Sequence, residues 1–214
     1  MKRLINVWSA ELKNSGFRVQ AVVSFAALFL TLGFMARFLS YVEARPGVTL
    51  DDPILSMITP RNLTWLTFAL IYAGLAMAII SLSSKPKDFV LIIQAYTLMV
   101  WIRIGMMSLI PLNAPEGLIV LQDPFVQFVG DGAAPTKDLF FSGHTSTMFL
   151  LYLVTKTKWL KATLLGFTLL VAACVIWQHV HYVIDVAVAP FVSYGAYRIA
   201  LLVNRKNALP VARA

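Results

Sequence analysis

Charge is scarce in this sequence. Asp, Glu, Lys and Arg make up 13% of its 214 residues, and hydrophobic side chains make up 59%. Soluble domains carry about 25% charged residues, so an ordinary soluble fold is excluded and an integral membrane protein is expected. The mean hydropathy of +0.76 points the same way. Cysteine occurs once, as Cys174 inside an apolar run. That excludes an intrachain disulfide and leaves a small buried core residue. No apolar core follows Lys2-Arg3 directly, so no signal peptide is expected. Repeats and low-complexity stretches are missing. Histidine is nearly absent too: His144, His179 and His181 are the only three, confined to two short blocks.

What is present is hydrocarbon in runs long enough to cross a bilayer. A span needs roughly 20 apolar residues. Six runs approach this: Val19 to Ala36, Asn62 to Ser84, Phe89 to about Leu112, Ser142 to Thr155, Leu160 to Gln178 and Tyr182 to Val203. The fourth is short, and Leu139 to Phe141 are expected to lead into it through a turn inside the headgroup layer. Leu4, Ile5, Trp8 and Leu12 recur at helical spacing among polar residues, the pattern of a helix lying on the bilayer surface. The expected fold is an all-α integral membrane protein with six transmembrane helices. An interfacial helix at 1–18 precedes the catalytic bundle at 19–204, and a tail follows at 205–214.

The basic residues choose the orientation. Thirteen of the 18 Lys and Arg fall on one side: Lys2, Arg3, Lys13, Arg18, Lys85, Lys87, Lys156, Lys158, Lys161, Arg198, Arg205, Lys206 and Arg213. Arg37, Arg45, Arg61 and Lys137 fall on the other, and Arg103 lies inside the third run. The positive-inside rule puts the larger group, and both termini, in the cytoplasm. The net charge of +8 is then a topology signal and an attraction to anionic lipid. It forms no solvated patch, so nucleic acid is not an expected partner. Eight of the ten acids, including Asp123, Asp131, Asp138 and Asp185, lie on the outer side, as do His144 and His181. Small size and the lack of a targeting segment fit a bacterial inner membrane with the site facing the periplasm. Oligomeric state is left open.

The two blocks carry the chemistry. Histidine is the side chain best able to exchange protons near neutral pH. His181 and Asp185 are four residues apart and share a face of a helix. A carboxylate there fixes the imidazole tautomer and leaves the other ring nitrogen as a base or nucleophile. Ser142-Gly143-His144-Thr145 reads as a helix start: Ser142 caps, Gly143 lets a ligand approach, and exposed N–H groups can hold an anion. His144 then stands where it can protonate a leaving oxygen. Arg103 lies eight residues before Pro111. It can snorkel outward to grip phosphate with two parallel hydrogen bonds, or form a structural ion pair with an outer carboxylate.

These blocks resemble the histidine motifs of the type-2 phosphatidic acid phosphatase superfamily. More narrowly, Asp138-Leu-Phe-Phe-Ser-Gly-His144-Thr and His179-Val-His181-Tyr182-Val-Ile-Asp185-Val are similar to the sphingomyelin synthase branch, as are Arg103 and Ser108-Leu109-Ile-Pro111. The resemblance implies a lipid phosphotransferase without metal or other cofactor, working in two steps. His181 attacks the phosphorus of a phospholipid donor, Asp185 orients it, and His144 protonates the departing diacylglycerol oxygen. A lipid or water acceptor then takes the group from the histidine. A ceramide acceptor gives a sphingomyelin or ceramide phosphoethanolamine synthase, and water gives a lipid phosphate or pyrophosphate phosphatase, the alternative reading. Arg103, Asp138, Ser142, Gly143, His179 and Tyr182 are implied to bind phosphate or head group. The superfamily's Lys-containing first motif is missing, and position 175 is Val where its arginine would stand. That speaks against a phosphomonoester, whose dianion wants several cations. A non-enzymatic carrier would show broken spans and internal repeats, and the sequence has neither.

Overall fold

The computed structural model of the protein describes residues 2–123 and 134–208, which are helical with one isolated bridge, Val48 to Leu112. The sharp turn near the site that Gly130, Gly132 and Pro135 suggest in the sequence falls mostly on 124–133, which, like the end of the tail beyond Ala208, lie outside the described residues. The helices are α1 Lys2–Leu12, α2 Ser15–Ala44, α3 Pro53–Ser56, α4 Thr64–Ser83, α5 Pro86–Leu109, α6 Gly143–Val154, α7 Lys158–Trp177 and α8 Val183–Ala208. Local chemistry sets their starts. Asn14 caps α2 by accepting the Phe17 N–H at 3.2 Å. The Asp52 side chain caps the short α3, which the sequence did not suggest. Proline begins α5, where its fixed φ suits the first helical position.

Among the described residues, five helices are long and apolar enough to cross a membrane: α2, α4, α5, α7 and α8 up to Arg205. Their outward faces carry large apolar side chains, among them Phe29, Leu30 and Phe191, each at least 74% exposed. Such a surface is a liability in water and suits hydrocarbon. α6, the counterpart of the fourth expected span, has 12 residues. At 1.5 Å per residue it is about 18 Å long, against roughly 30 Å of hydrocarbon.

The packing explains why α6 is short. It is wedged between α7 and α8, with Met148, Leu150, Leu151 and Val154 buried. Just beyond its lower end, Lys156 Nζ meets Asp88, in the first turn of α5, at 2.7 Å. At its upper end it meets Arg103, also on α5. From Arg103 to the end of α5 at Leu109 is six residues, about 9 Å. The start of α6 is thus recessed below the rim of its neighbours. At the lower end Lys87 also pairs with Glu11 at 3.3 Å, and Trp8 of α1 donates to the Ser83 carbonyl at 2.7 Å. Above that end, Gln94 of α5 accepts from Asn204 of α8 at 2.7 Å and donates to Ser24 of α2 at 2.8 Å. This polar chain fastens three helices inside the apolar layer.

At the upper end a buried amide ties loops together. Gln178 caps α7 and is fully buried. Its Oε1 accepts the Leu63 N–H at 2.9 Å, and its Nε2 donates to Thr64 Oγ1 at 2.9 Å and to the Ile119 carbonyl at 3.1 Å. Leucine there strands these groups, each at about 1–3 kcal/mol. We expect Gln178→Leu to lower the thermal midpoint of the purified protein by several degrees. An unchanged midpoint in a detergent melt would show that these bonds hold nothing.

Candidate active site

The two histidine blocks meet where α6 begins. Ser142 is its N-cap, accepting the Thr145 N–H at 3.3 Å and the Thr145 hydroxyl at 3.0 Å. The N–H of Ser142 donates to the Asp185 carbonyl at 3.0 Å, which fastens the start of α6 to the first turn of α8. The first-turn N–H groups of a helix lack intrahelical partners and favour an anion.

Arg103 stands against this helix start and is 5% exposed. Its Nε donates to Asp138 Oδ1 at 2.9 Å, and Nη2 reaches the same oxygen at 2.8 Å and the Asp138 carbonyl at 3.1 Å. Nη1 donates to the Phe141 carbonyl. A guanidinium has five N–H donors, and the hydrogen bonds to Asp138 and Phe141 use three. Of the two expectations for Arg103 the structure has the ion pair. Gly143 is what admits the guanidinium, since a Cβ at position 143 would lie 2.8 Å from Nη1. Phe140 turns the chain at φ 77° just before the cap. The segment before it is held by Glu43 at the end of α2, whose carboxylate accepts the Thr136 N–H at 2.9 Å and the Lys137 N–H at 3.1 Å.

A cavity of about 290 Å³ lies against Arg103, Asp138, Gly143 and His144. Leu32 and Met35 of α2, Phe68 and Tyr72 of α4 and Tyr96 of α5 form other parts of its wall. His144 Nδ1 is buried with no hydrogen-bond partner among the described residues. The His144 ring lies 6.1 Å, centre to centre, from both Phe68 and His181.

His181 and Asp185 do not line the cavity. They stand behind His144, 2% and 1% exposed. His181 Nδ1 faces Asp185 Oδ2 across a long 3.4 Å, and the same oxygen accepts the Tyr182 N–H at 3.2 Å. Asp185 Oδ1 is buried without a partner among the described residues. The two histidines and the carboxylate are therefore contiguous, with His144 nearest the cavity.

His179 and Tyr182 go elsewhere. They line a separate cavity of about 660 Å³ with Asp51, Asp52 and Glu116. His179 Nδ1 lies 2.8 Å from the Glu116 carbonyl, and Nε2 lies 3.1 Å from that of Ile58. The Tyr182 hydroxyl donates to the Asn113 carbonyl at 3.0 Å and accepts the Leu50 N–H at 3.2 Å. The structure thus brings Arg103, Asp138, Gly143 and His144 to one cavity, with Ser142 buried as their cap, and does not bring His179 or Tyr182 to it. Sequence reasoning also passed over Phe68, Tyr72 and Asp123, which do line it. Asp123 was visible only as one acid of the outer side, and nothing in the apolar run of α4 marked its two rings.

Residues 137–201 match the model of a family described as PAP2 superfamily C-terminal. The match covers less than a third of the 214 residues, yet includes both histidine blocks, with Arg103 outside it. Members of that superfamily are phosphatases and phosphotransferases, so the match supports a lipid enzyme of that kind. No curated protein matches the chain.

Gly143→Ala tests the packing of guanidinium on helix start. Arg103 is held by its bonds to Asp138 and Phe141, so alanine must break these contacts or displace the cap. Misplacement by about 1 Å costs on the order of a hundredfold in rate. We expect a loss of that order in kcat/KM, and full turnover by the alanine variant would refute it.

Proposed function

We propose that this protein is a membrane lipid phosphotransferase that moves a phosphorylated head group from a glycerophospholipid to a lipid hydroxyl through a phosphohistidine. The observation that carries this reading is the contiguity of His181, Asp185 and His144 beside a helix N-terminus and a buried arginine. His181 Nε2 attacks phosphorus, forming an N–P bond while the P–O bond to diacylglycerol breaks. The departing oxygen takes a proton from His144. The acceptor hydroxyl then gives its proton to His144 as its oxygen attacks phosphorus, and the N–P bond breaks. Asp185 holds the His181 tautomer and stabilises the cation that develops. Arg103, the Gly143 amide and the helix end face the phosphate oxygens. His144 stands between cavity and nucleophile, so its ring must turn for phosphorus to reach His181. Nothing among the described residues holds its Nδ1 against turning.

A lipid substrate is supported by a second cavity of about 280 Å³, lined by Leu28, Leu75, Ile79, Phe89, Leu150 and other apolar residues. It shares Tyr96 and Thr147 with the first, so an acyl chain can continue from the reacting phosphate without entering water. The protein is read as crossing the bilayer six times with both termini cytoplasmic. α6 completes the count from a recessed start, and the site opens to the periplasmic face of a bacterial inner membrane.

His181→Ala is expected to abolish turnover. Asp185→Asn keeps lipid binding and loses most of the rate, because orientation and charge stabilisation go together. With labelled phosphatidylcholine or phosphatidylethanolamine and ceramide or diacylglycerol, the purified protein should yield a new phospholipid, and an acid-labile phosphoenzyme should be trapped on His181. Chelators should leave the rate unchanged. Rapid release of inorganic phosphate from phosphatidic acid, with no head-group transfer, would instead favour the phosphatase. Filling the apolar cavity with Leu75→Trp is expected to slow long-chain donors more than short-chain ones. Equal slowing of both would mean that no acyl chain lies there.

A further inference from the structure

The reaction cavity has a second polar feature that the proposed chemistry leaves unused. Tyr72 of α4 donates its phenolic hydrogen to a carboxylate oxygen of Asp123, and both line the cavity. Tyr72 is 38% exposed, which puts the pair at the mouth. One turn back along α4, Phe68 stacks on Tyr72 with ring centres 5.8 Å apart. Phe68 in turn touches the His144 ring by its edge. A path of two aromatic rings therefore leads from the reacting histidine to a carboxylate.

The charges lining this cavity among the described residues are one cation, Arg103, and two carboxylates, Asp138 and Asp123. Asp138 lies 2.8 Å from Arg103 and neutralises it. A phosphomonoester brings close to two negative charges to a wall on which the described residues place two carboxylates and one cation. A phosphodiester brings one. A diester whose head group carries an ammonium brings none in net, and its cation finds a carboxylate able to accept several hydrogen bonds. It also finds aromatic faces, which attract ammonium groups, the quaternary ones included. The phosphate end meets Arg103 and the N-terminus of α6, and the cationic end meets Asp123.

We propose that Asp123, Tyr72 and Phe68 form a recognition site for a cationic amine on the transferred head group, so that the cavity selects zwitterionic phosphodiester lipids. This rests on the phosphotransferase reading and adds its specificity determinant. Asp123 supplies the charge. Tyr72 orients the carboxylate and offers its ring, and Phe68 extends the aromatic wall toward His144.

Binding and turnover test it separately. Full-length His181→Ala protein in nanodiscs is titrated with phosphatidylethanolamine, phosphatidylcholine and phosphatidylglycerol of identical acyl chains. The wild-type cavity should prefer the two zwitterions. For phosphatidylethanolamine a charge-assisted hydrogen bond is worth about a tenfold preference or more, and adding Asp123→Asn should reduce that ratio by about the same factor. For phosphatidylcholine the preference rests on the carboxylate's charge and the aromatic faces, and the same change should lower it too. Adding Tyr72→Leu should weaken phosphatidylcholine more than phosphatidylethanolamine, because the quaternary head group has no N–H to give the carboxylate. Thermal midpoints identify any variant that fails to fold. For such a variant the wild-type preference decides, and a cavity that favours phosphatidylglycerol or binds all three alike overturns the proposal. So does a zwitterion preference unaltered in folded Asp123→Asn protein. If the active protein turns over no diester yet binds zwitterions through Asp123, the transferase reading fails and the amine site stands.

Discussion

The architecture depends on a guanidinium buried in the apolar layer. A charged side chain at mid-helix costs about 2.5–3.5 kcal/mol on insertion scales, and irregular backbone at that depth is tolerated only where its polar groups are satisfied. Here the two costs offset each other. Residues 138–141 leave the helical path, with Phe140 at φ 77°, and expose the carbonyls of Asp138 and Phe141. Arg103 donates to both, while the Asp138 carboxylate neutralises it. Removing either partner leaves an uncompensated group in hydrocarbon, the expensive way to break a buried pair.

Recession of the active end follows. Because the 138–141 segment is satisfied about 9 Å below the end of α5, α6 can begin there. Its unpaired N–H groups and His144 then lie among side chains rather than at the rim. In that position the apolar cavity between α2, α4 and α5 adjoins the polar one. A lipid can bring phosphorus to the histidines while its chains stay in hydrocarbon. Glu43 joins α2 to Thr136 and Lys137, just ahead of that segment, so α2, which forms one wall of the cavity, is tied to the chain leading into the Arg103 clamp. Low dielectric strengthens each of these contacts and penalises a mismatched charge, so the balance of one arginine against two aspartates bears directly on which head group enters.

The sequence made much of this legible. Apolar run length located α2, α4, α5, α7 and α8, because hydrocarbon thickness dictates it. The shortness of the fourth run, with a turn at 139–141, was visible for the same reason. His181 meets Asp185 as the four-residue spacing suggested, but not on a shared helix face: α8 starts at Val183, and Asp185 in its first turn reaches back to His181. What could not be read were contacts between distant loops. His179 belongs by spacing to the same block as His181, yet its backbone takes φ 56° and sends the ring to the Glu116 and Ile58 carbonyls. Asp123 and Tyr72 meet across 51 residues of chain, Gln178 and Leu63 across 115. No periodicity encodes such meetings. The choice at Arg103 between phosphate and carboxylate also depended on where Asp138 would fall, which only packing decides.

The separate path of His179 is what lets the second block work. Two residues after it, His181 presents one ring nitrogen to Asp185, and the proposed reaction asks the other to meet phosphorus, which requires a fixed backbone. A neutral imidazole donates through one nitrogen only, yet both His179 nitrogens meet carbonyl oxygens. The ring therefore bridges the segments carrying Ile58 and Glu116, with both nitrogens against carbonyl oxygens. Gly117, at φ 75°, closes against it, with a Cβ there 3.3 Å from Nδ1. Asp52 adds a second brace from the same side, accepting the Val183 N–H at 2.9 Å. Between the His179 bridge and the Asp52 bond, the backbone of His181 and Tyr182 is pinned from both directions. One histidine of the block fixes the chain, and the chemistry proposed here falls to the other, a division that the shared spacing conceals.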